Sequence, residues 1–71
     1  MKREIEKRIL DEIPDATVTA TVEGNRATLK VISGAFADLS RVQRQQRVYK
    51  CISDLISDGS LHAVTILAHV E

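Results

Sequence analysis

Isoleucine recurs at every fourth position of the first segment, and polar residues fill most of the positions between. This spacing predicts an amphipathic α-helix over residues 2–13, because side chains four residues apart stack on one side of a helix. Leu10 lies beside the stripe, and Pro14 is expected to end the helix. The apolar stripe expected to face the core is formed by Ile5, Ile9 and Ile13.

Two β-strands are predicted next, joined by a tight turn. Over residues 17–22, threonine alternates with valine or alanine, which is typical of a half-buried strand. Gly24 and Asn25 follow, a dipeptide that suits a short hairpin. The partner strand is expected over residues 27–33. The side chains of the first strand expected to face the core are Val18, Ala20 and Val22.

A long helix is predicted in the second half of the chain. A turn over residues 34–38 is expected to bring Phe36 against the core. Ser40 and Gln43 have the spacing of a capping box, and Gly59 suits the left-handed position after a helix end near Asp58. The apolar side chains that cover about half of the helix circumference are expected to pack on the sheet: Val42, Val48, Tyr49, Cys51, Ile52, Leu55 and Ile56.

A final strand over residues 61–70 completes the predicted fold. It carries apolar side chains on one side: Val64, Ile66, Ala68 and Val70. The order is helix, two strands, turn, long helix, strand, so the predicted class is α+β. With 71 residues, the chain is expected to form one domain over 1–71.

Composition indicates a small cytoplasmic binding protein. The ten basic and ten acidic residues cancel, so no net charge attracts the chain to nucleic acid or lipid. A single cysteine and no visible signal peptide favour a reducing cytosol. No apolar run approaches the ~20 residues of a membrane span. With three glycines there is no phosphate loop, and no nucleophile has a plausible base near it. We therefore expect no enzymatic activity.

Three residues have side chains that bind soft or borderline metals: Cys51, His62 and His69. The two histidines are seven positions apart on one predicted strand, so they point to opposite faces and lie ~23 Å apart. Cys51 is expected to be a small buried hydrophobe. Because a closed zinc site needs four ligands, other molecules would have to complete any site at His62. Taken alone, a histidine at a strand start such as His62 is more often a structural residue than a metal ligand.

Four basic residues occupy the first half of the long helix: Arg41, Arg44, Arg47 and Lys50. No acidic residue lies between Asp38 and Asp54. Positive charge at a helix start opposes the helix dipole, so this cluster is a candidate for binding anions. The alternatives are a solvated charged face and a surface for a partner or nucleic acid.

Two segments of the second half carry a recognisable signature. Residues 36–49 (FADLSRVQRQQRVY) and 61–66 (LHAVTI) resemble the BolA family, and residues 14–18 and 29–33 are similar to its opening half. The match extends over essentially the whole chain. The chain resembles the compact bacterial subgroup associated with acid stress. This resemblance implies an α-β-β-α-α-β fold similar to the type II KH domain, with a mixed three-stranded sheet covered by helices on one face.

The same resemblance implies a partner and a shared cofactor. Family members pair with monothiol glutaredoxins and help to handle iron–sulfur clusters. The family histidine that matches His62 ligates a cluster otherwise held by the glutaredoxin cysteine and glutathione, and no cluster is expected on the protein alone. The protein is expected to be a monomer or weak homodimer away from membranes.

Two departures from the family pattern keep alternatives open. Arg26 stands where many members have a second ligand. This protein could therefore supply one ligand only, Cys51 or another residue could substitute, the cluster role could be weakened, or the domain could be purely structural. No Gly-x-x-Gly loop follows Gly34, which removes the KH-type clamp on nucleic acid. A DNA-binding regulator that uses the helix from Ser40 is the main alternative. Four phosphate contacts would give it a salt slope of only ~−3.6.

Overall fold

Two α-helices and three β-strands follow one another in the predicted order in the computed structural model, which describes residues 1–70. Their bounds are α1 Lys2–Glu12, β1 Thr17–Glu23, β2 Arg26–Ile32, α2 Arg41–Ser57 and β3 Ala63–His69. The α+β class is confirmed. The short second helix implied by the BolA resemblance is here a three-residue 3₁₀ helix, Gly34–Phe36. The likeness to a KH domain stays a prediction.

The three strands form one mixed sheet in the order β1-β2-β3. β1 and β2 are antiparallel, with Glu23 opposite Arg26, so Gly24 and Asn25 alone make the turn. Gly24 has a φ of 58°, and no other type of residue within 1–70 has a positive φ. This matches the hairpin turn that needs glycine at its first central position. β2 and β3 are parallel, from Arg26 beside Ala63 to Ile32 beside His69.

Both helices cover the same face of the sheet, and the hydrophobic core lies between these two layers. The predicted inward side of β1 holds: Ala20 is buried and its neighbours Val18 and Val22 are half-buried against the core. Phe36 is fully buried, as predicted. Neither helix in residues 1–70 is long and apolar enough to cross a membrane. The core consists of Ile5, Ile9, Ile13, Ala20, Ala27, Leu29, Val31, Phe36, Val48, Ile52, Leu55 and Leu61.

The buried stripe of α2 is narrower than predicted. Val48, Ile52 and Leu55 are buried, but Val42 is 62% exposed and Tyr49 is 45% exposed, so the prediction is wrong for these two. At 100° per residue they lie roughly 100–120° around the helix from Val48. That side of α2 extends past β3, the last strand of the sheet, and no further strand within residues 1–70 covers it.

Two other predicted core positions are also more exposed. Leu10 and Val70 each keep 40% of their surface accessible. Leu10 lies one residue from Ile9 and hence 100° around the helix, which takes it to the margin of the buried stripe. Val70 lies beyond the last pair of the β2–β3 ladder, Ile32 and His69, so no neighbouring strand shields it.

Ser33 is the only polar residue among the fully buried side chains of the described chain. Its hydroxyl donates to Asp15 Oδ1 at 2.8 Å and accepts from the Ala35 amide at 3.0 Å. Its own amide donates to the carbonyl of His69 at 3.1 Å. One serine therefore ties the end of β2 to the α1–β1 loop, the 3₁₀ helix and the end of β3.

Arg8 joins the two helices electrostatically. Its guanidinium donates to Asp54 on α2 and, through Nε, to Glu4 Oε1 at 3.0 Å on its own helix. The hydrogen bond from Arg8 holds the pKa of Asp54 below its ordinary value of 3.8. The pair with Glu4 lies within α1, whereas the bond to Asp54 joins residues 46 positions apart and depends on the tertiary structure.

Ser33→Ala should destabilise the fold by about 1–2 kcal/mol, because it removes a cap and the Asp15 hydrogen bond at once. Urea unfolding followed by circular dichroism measures the difference. Ser57→Ala, at an exposed position of α2, is the matched control and should change stability far less. Equal losses in the two variants would contradict the role of Ser33.

Stability should fall as the pH drops from about 5 toward 3, and Asp54→Asn should reduce this dependence. The folded pKa of Asp54 is lowered, so its contribution is complete above the unfolded pKa and disappears as the carboxylate is protonated. Thermal unfolding between pH 3 and 7 measures the effect. Asp11→Asn, which breaks a pair within α1 alone, should not reproduce it; an unchanged pH profile in Asp54→Asn would refute the assignment.

Candidate metal-ligand and partner-binding site

His62 lies exposed at the entry to β3, where the main chain holds it against the hairpin turn. Its amide donates to the carbonyl of Asn25 at 2.8 Å, and the next amide, that of Ala63, donates to the same oxygen at 3.3 Å. The preceding residue, Leu61, is 1% exposed and its amide donates to the carbonyl of Leu55 at 3.0 Å. A buried anchor on one side and a shared carbonyl on the other therefore present an accessible imidazole on a fixed backbone.

Arg26 is close to His62, because it pairs with Ala63 in the ladder. Its side chain lines a hollow of about 440 Å³ on the uncovered face of the sheet, beside a row of three threonines: Thr21, Thr28 and Thr65. Glu23, directly opposite in the hairpin, forms no ion pair with it within 4.0 Å. The guanidinium is therefore not engaged in an ion pair within residues 1–70. Arginine cannot itself ligate a metal.

The other two candidate ligands lie elsewhere. His69 ends the ladder that begins beside His62, so the histidines are at opposite ends of β3, as the spacing predicts. Cys51 is half-buried on α2, and its thiol donates to the carbonyl of Arg47 at 3.5 Å. Burial, and then the charge of Glu12 on α1, raise the pKa of the Cys51 thiol. Within residues 1–70, no three His, Cys, Asp or Glu side chains gather where they could hold a metal ion.

Of the four basic residues, one has a structural task that the sequence did not reveal. Arg44 Nε donates to the carbonyl oxygens of Phe36 at 3.2 Å and Leu39 at 3.0 Å, so it fixes the segment before α2. Arg41 and Lys50 are exposed and Arg47 is half-buried. Residues three apart advance 300° around a helix, so the four are spread over about half of its circumference. They do not form a single basic stripe.

A groove runs between α2 and β3, and it is the second site-like feature of the surface. One part, about 480 Å³, lies between Val42 and Tyr49 on the helix and Val64 on the strand. A second part, about 300 Å³, lies between Arg41 and Arg44 and the strand end at His69. Gln45 and Ile66 line both parts, so they are continuous. We call the whole the α2–β3 groove.

This arrangement of two helices over one face of a mixed three-stranded sheet is shared with solved structures. BolA1 from Arabidopsis thaliana matches with a TM-score of 0.86 at 17% identity, over 97% of this chain and 89% of that one. The BolA domain of SufE1 from the same plant matches with a TM-score of 0.84 at 22% identity, over 97% and 90% of the two chains. These similarities define the fold class as that of BolA domains.

The sequence itself settles the family. Residues 5–71 match the family model for BolA-like proteins. A protein from the rpoN-murA intergenic region of Acinetobacter guillouiae is 36% identical over 55 residues, which is 78% of this chain and 66% of that protein. The acid stress protein IbaG of Escherichia coli K12 is 29% identical over 93% of this chain and 79% of its own. The chain belongs to the BolA family, and the predicted resemblance is confirmed.

The Cys51 thiol should react slowly with iodoacetamide at pH 7.5, several-fold more slowly than the same thiol in the urea-unfolded chain. The raised pKa leaves less of the reactive thiolate, and partial burial limits access. Mass spectrometry of alkylated protein over time gives both rates, and the folded rate should still be rising above pH 9. Equal rates in folded and unfolded chains would show that Cys51 is an accessible, ordinary thiol.

Proposed function

We propose that this protein is a non-catalytic adaptor that binds a monothiol glutaredoxin and contributes His62 to a shared iron–sulfur cluster. The observation that carries the proposal is the exposed His62, held against Asn25 at the end of the sheet and outside any group of three or more His, Cys, Asp or Glu side chains within residues 1–70. Such a histidine suits one position of a site whose other ligands come from elsewhere. Membership of the BolA family supports the same partner and the same cluster.

The imidazole of His62 suits a cluster whose other ligands come from the partner protein and glutathione. A neutral imidazole has a nitrogen lone pair for iron, and histidine replaces cysteine in some two-iron clusters. In the proposed complex the glutaredoxin cysteine and glutathione supply the thiolates. The cluster would supply electron-transfer or transferable iron–sulfur chemistry. This chain would supply one ligand and the surface that orients it.

Arg26 gives this chain a positive charge that a second metal ligand at this position would not provide. Its positive charge lies next to the strand residue that follows His62 and is free of ion pairs within residues 1–70. Thiolate-bound clusters and the carboxylates of glutathione are anionic, so a nearby guanidinium would attract them without ligating iron. In this proposal Arg26 contributes charge and hydrogen bonds around the cluster, which tune cluster potentials.

The proposed role of this chain in a stress response rests on a related protein. The relative IbaG is named an acid stress protein, and we propose that this chain serves a related response. The alternative of a DNA-binding regulator has less support. The four basic residues are spread over about half of the circumference of α2, so fewer than four could contact one phosphate backbone and the salt slope would fall below ~3.6 in magnitude.

His62→Ala should alter or abolish the visible absorption of the complex co-purified with a monothiol glutaredoxin, because alanine offers no lone pair to iron. His69→Ala is the matched control: it removes the other exposed histidine of the same strand region and should leave the spectrum unchanged. Circular dichroism checks that both variants remain folded.

Protein binding is measured separately from the cluster. Pull-down of apo-glutaredoxin by each variant should be retained, since one side chain contributes little to a protein interface outside its hot spots. An unchanged cluster spectrum in His62→Ala would refute His62 as a ligand. A colourless complex with the wild-type chain, prepared under anaerobic reconstitution, would refute the cluster itself.

A further inference from the structure

The outer edge of β3 carries main-chain groups without partners. The amide of Ala63 donates to the carbonyl of Asn25, and the carbonyl of His69 accepts from the amide of Ser33. At both ends of β3, therefore, the odd-numbered residues direct their main-chain groups toward β2. Main-chain direction alternates along a strand, and the even-numbered residues therefore face outward. Because β3 is the last strand of the sheet, three amides and three carbonyls are unpaired along this edge within residues 1–70: those of Val64, Ile66 and Ala68.

The α2–β3 groove lies along this same edge. The inward side chains of β3 are only half-buried, whereas their neighbours in β2, Ala27, Leu29 and Val31, are at most 3% exposed. Apolar surface of the strand is thus left for something else to cover. On the helix side, Val42 and Tyr49 add exposed apolar area, and Gln45 and Gln46 add amides that can both donate and accept. The groove offers what an extended peptide needs: a free strand edge and pockets for alternate side chains.

Charge in the groove selects the chemistry of the occupant. Arg41 and Arg44 line its end beside His69, and no acidic side chain among residues 1–70 lines either part. Arg44 is held in place through its Nε by two carbonyl oxygens, which leaves its terminal amino groups for a ligand. No ion pair within 4.0 Å involves either arginine in the described chain. Carboxylates are the complementary groups.

We propose that the α2–β3 groove binds an extended acidic segment of a partner protein, which adds to β3 as a fourth, antiparallel strand. Its acidic residues lie at the Arg41 and Arg44 end, and its apolar side chains lie over Val64 and Ile66 and against Tyr49. This proposal does not rest on the cluster, since His62 is at the opposite end of β3. A second copy of the chain fits less well, because β3 brings no carboxylate to face the arginines.

Fluorescence anisotropy with a designed peptide tests the charge. The probe begins with two aspartates, continues with six residues that alternate valine and threonine, and carries fluorescein at its carboxyl end. It should bind more weakly to Arg41→Glu by about fivefold or more, and more weakly in high salt. Arg3→Glu, an equal charge change at an exposed site on α1, should leave affinity unchanged. Equal binding of a peptide with lysines in place of the aspartates would overturn the charge assignment.

Backbone N-methylation tests strand addition. Only every second amide of an added strand faces β3, so methylating one alternate set should abolish binding and methylating the other should not. In free protein the amides of Val64, Ile66 and Ala68 should exchange rapidly with deuterium, and saturating peptide should slow them selectively. Equal binding of both methylated peptides, or no change in this exchange, would refute strand addition.

Two further results would assign the groove to another occupant. Slow exchange of the same three amides in concentrated free protein, with fast exchange on dilution, would show that a second copy covers the edge. Displacement of the probe by a twelve-nucleotide single strand at lower concentration than by unlabelled peptide would indicate nucleic acid. Either result would overturn the proposal.

Discussion

The parallel pairing of β2 with β3 is the contact on which the other features of this protein depend. β2 is the central strand, and it contributes the fully buried Leu29 and Val31 to the core. Parallel neighbours cannot be joined by a hairpin, so the chain must cross from one end of the sheet to the other. α2 makes that crossing, and its buried stripe packs on the sheet as it does so. The register of this pairing also decides what lies together at each end: His62 with the hairpin turn, and Ser33 with His69.

A sheet of three strands with two helices on one face leaves much of its surface uncovered. The helices bury the inward side chains of the central strand, Ala27, Leu29 and Val31, but leave the inward side chains of the edge strand half-exposed. Small domains bury a smaller fraction of their surface than large ones, so a strand edge and its apolar wall remain accessible. The two ends of β3 carry different side chains. His62 and Arg26 lie beside its first residue, and Arg41 and Arg44 lie near its last. The seven residues of the strand separate these two ends by about 20 Å. This protein therefore offers different side chains to binding partners at the two ends of β3.

Much of the fold could be predicted because its signals are local. Three of these signals depend only on residues that are close together in the sequence: the isoleucine repeat of α1, the capping box of Ser40 and Gln43, and the turn at Gly24. Strand alternation likewise predicted which side of β1 faces the core. The candidate ligand His62 was recognisable from the family signature, and the separation of His62 from His69 followed from strand geometry alone.

Other features arise between residues that are far apart in the sequence. No local pattern shows that Ser33 bonds Asp15, that Arg44 holds the carbonyls before α2, or that Arg8 reaches α2. The predicted apolar face of α2 was too wide for a related reason: helical periodicity gives the direction of a side chain but not whether a strand lies opposite it. The sequence by itself thus determined the order of the elements, their approximate bounds and the side of β1 and α1 that faces the core. The tertiary structure decided which strand is left at the edge, and hence that Tyr49 lines an open groove, because the packing of distant segments sets where the sheet stops.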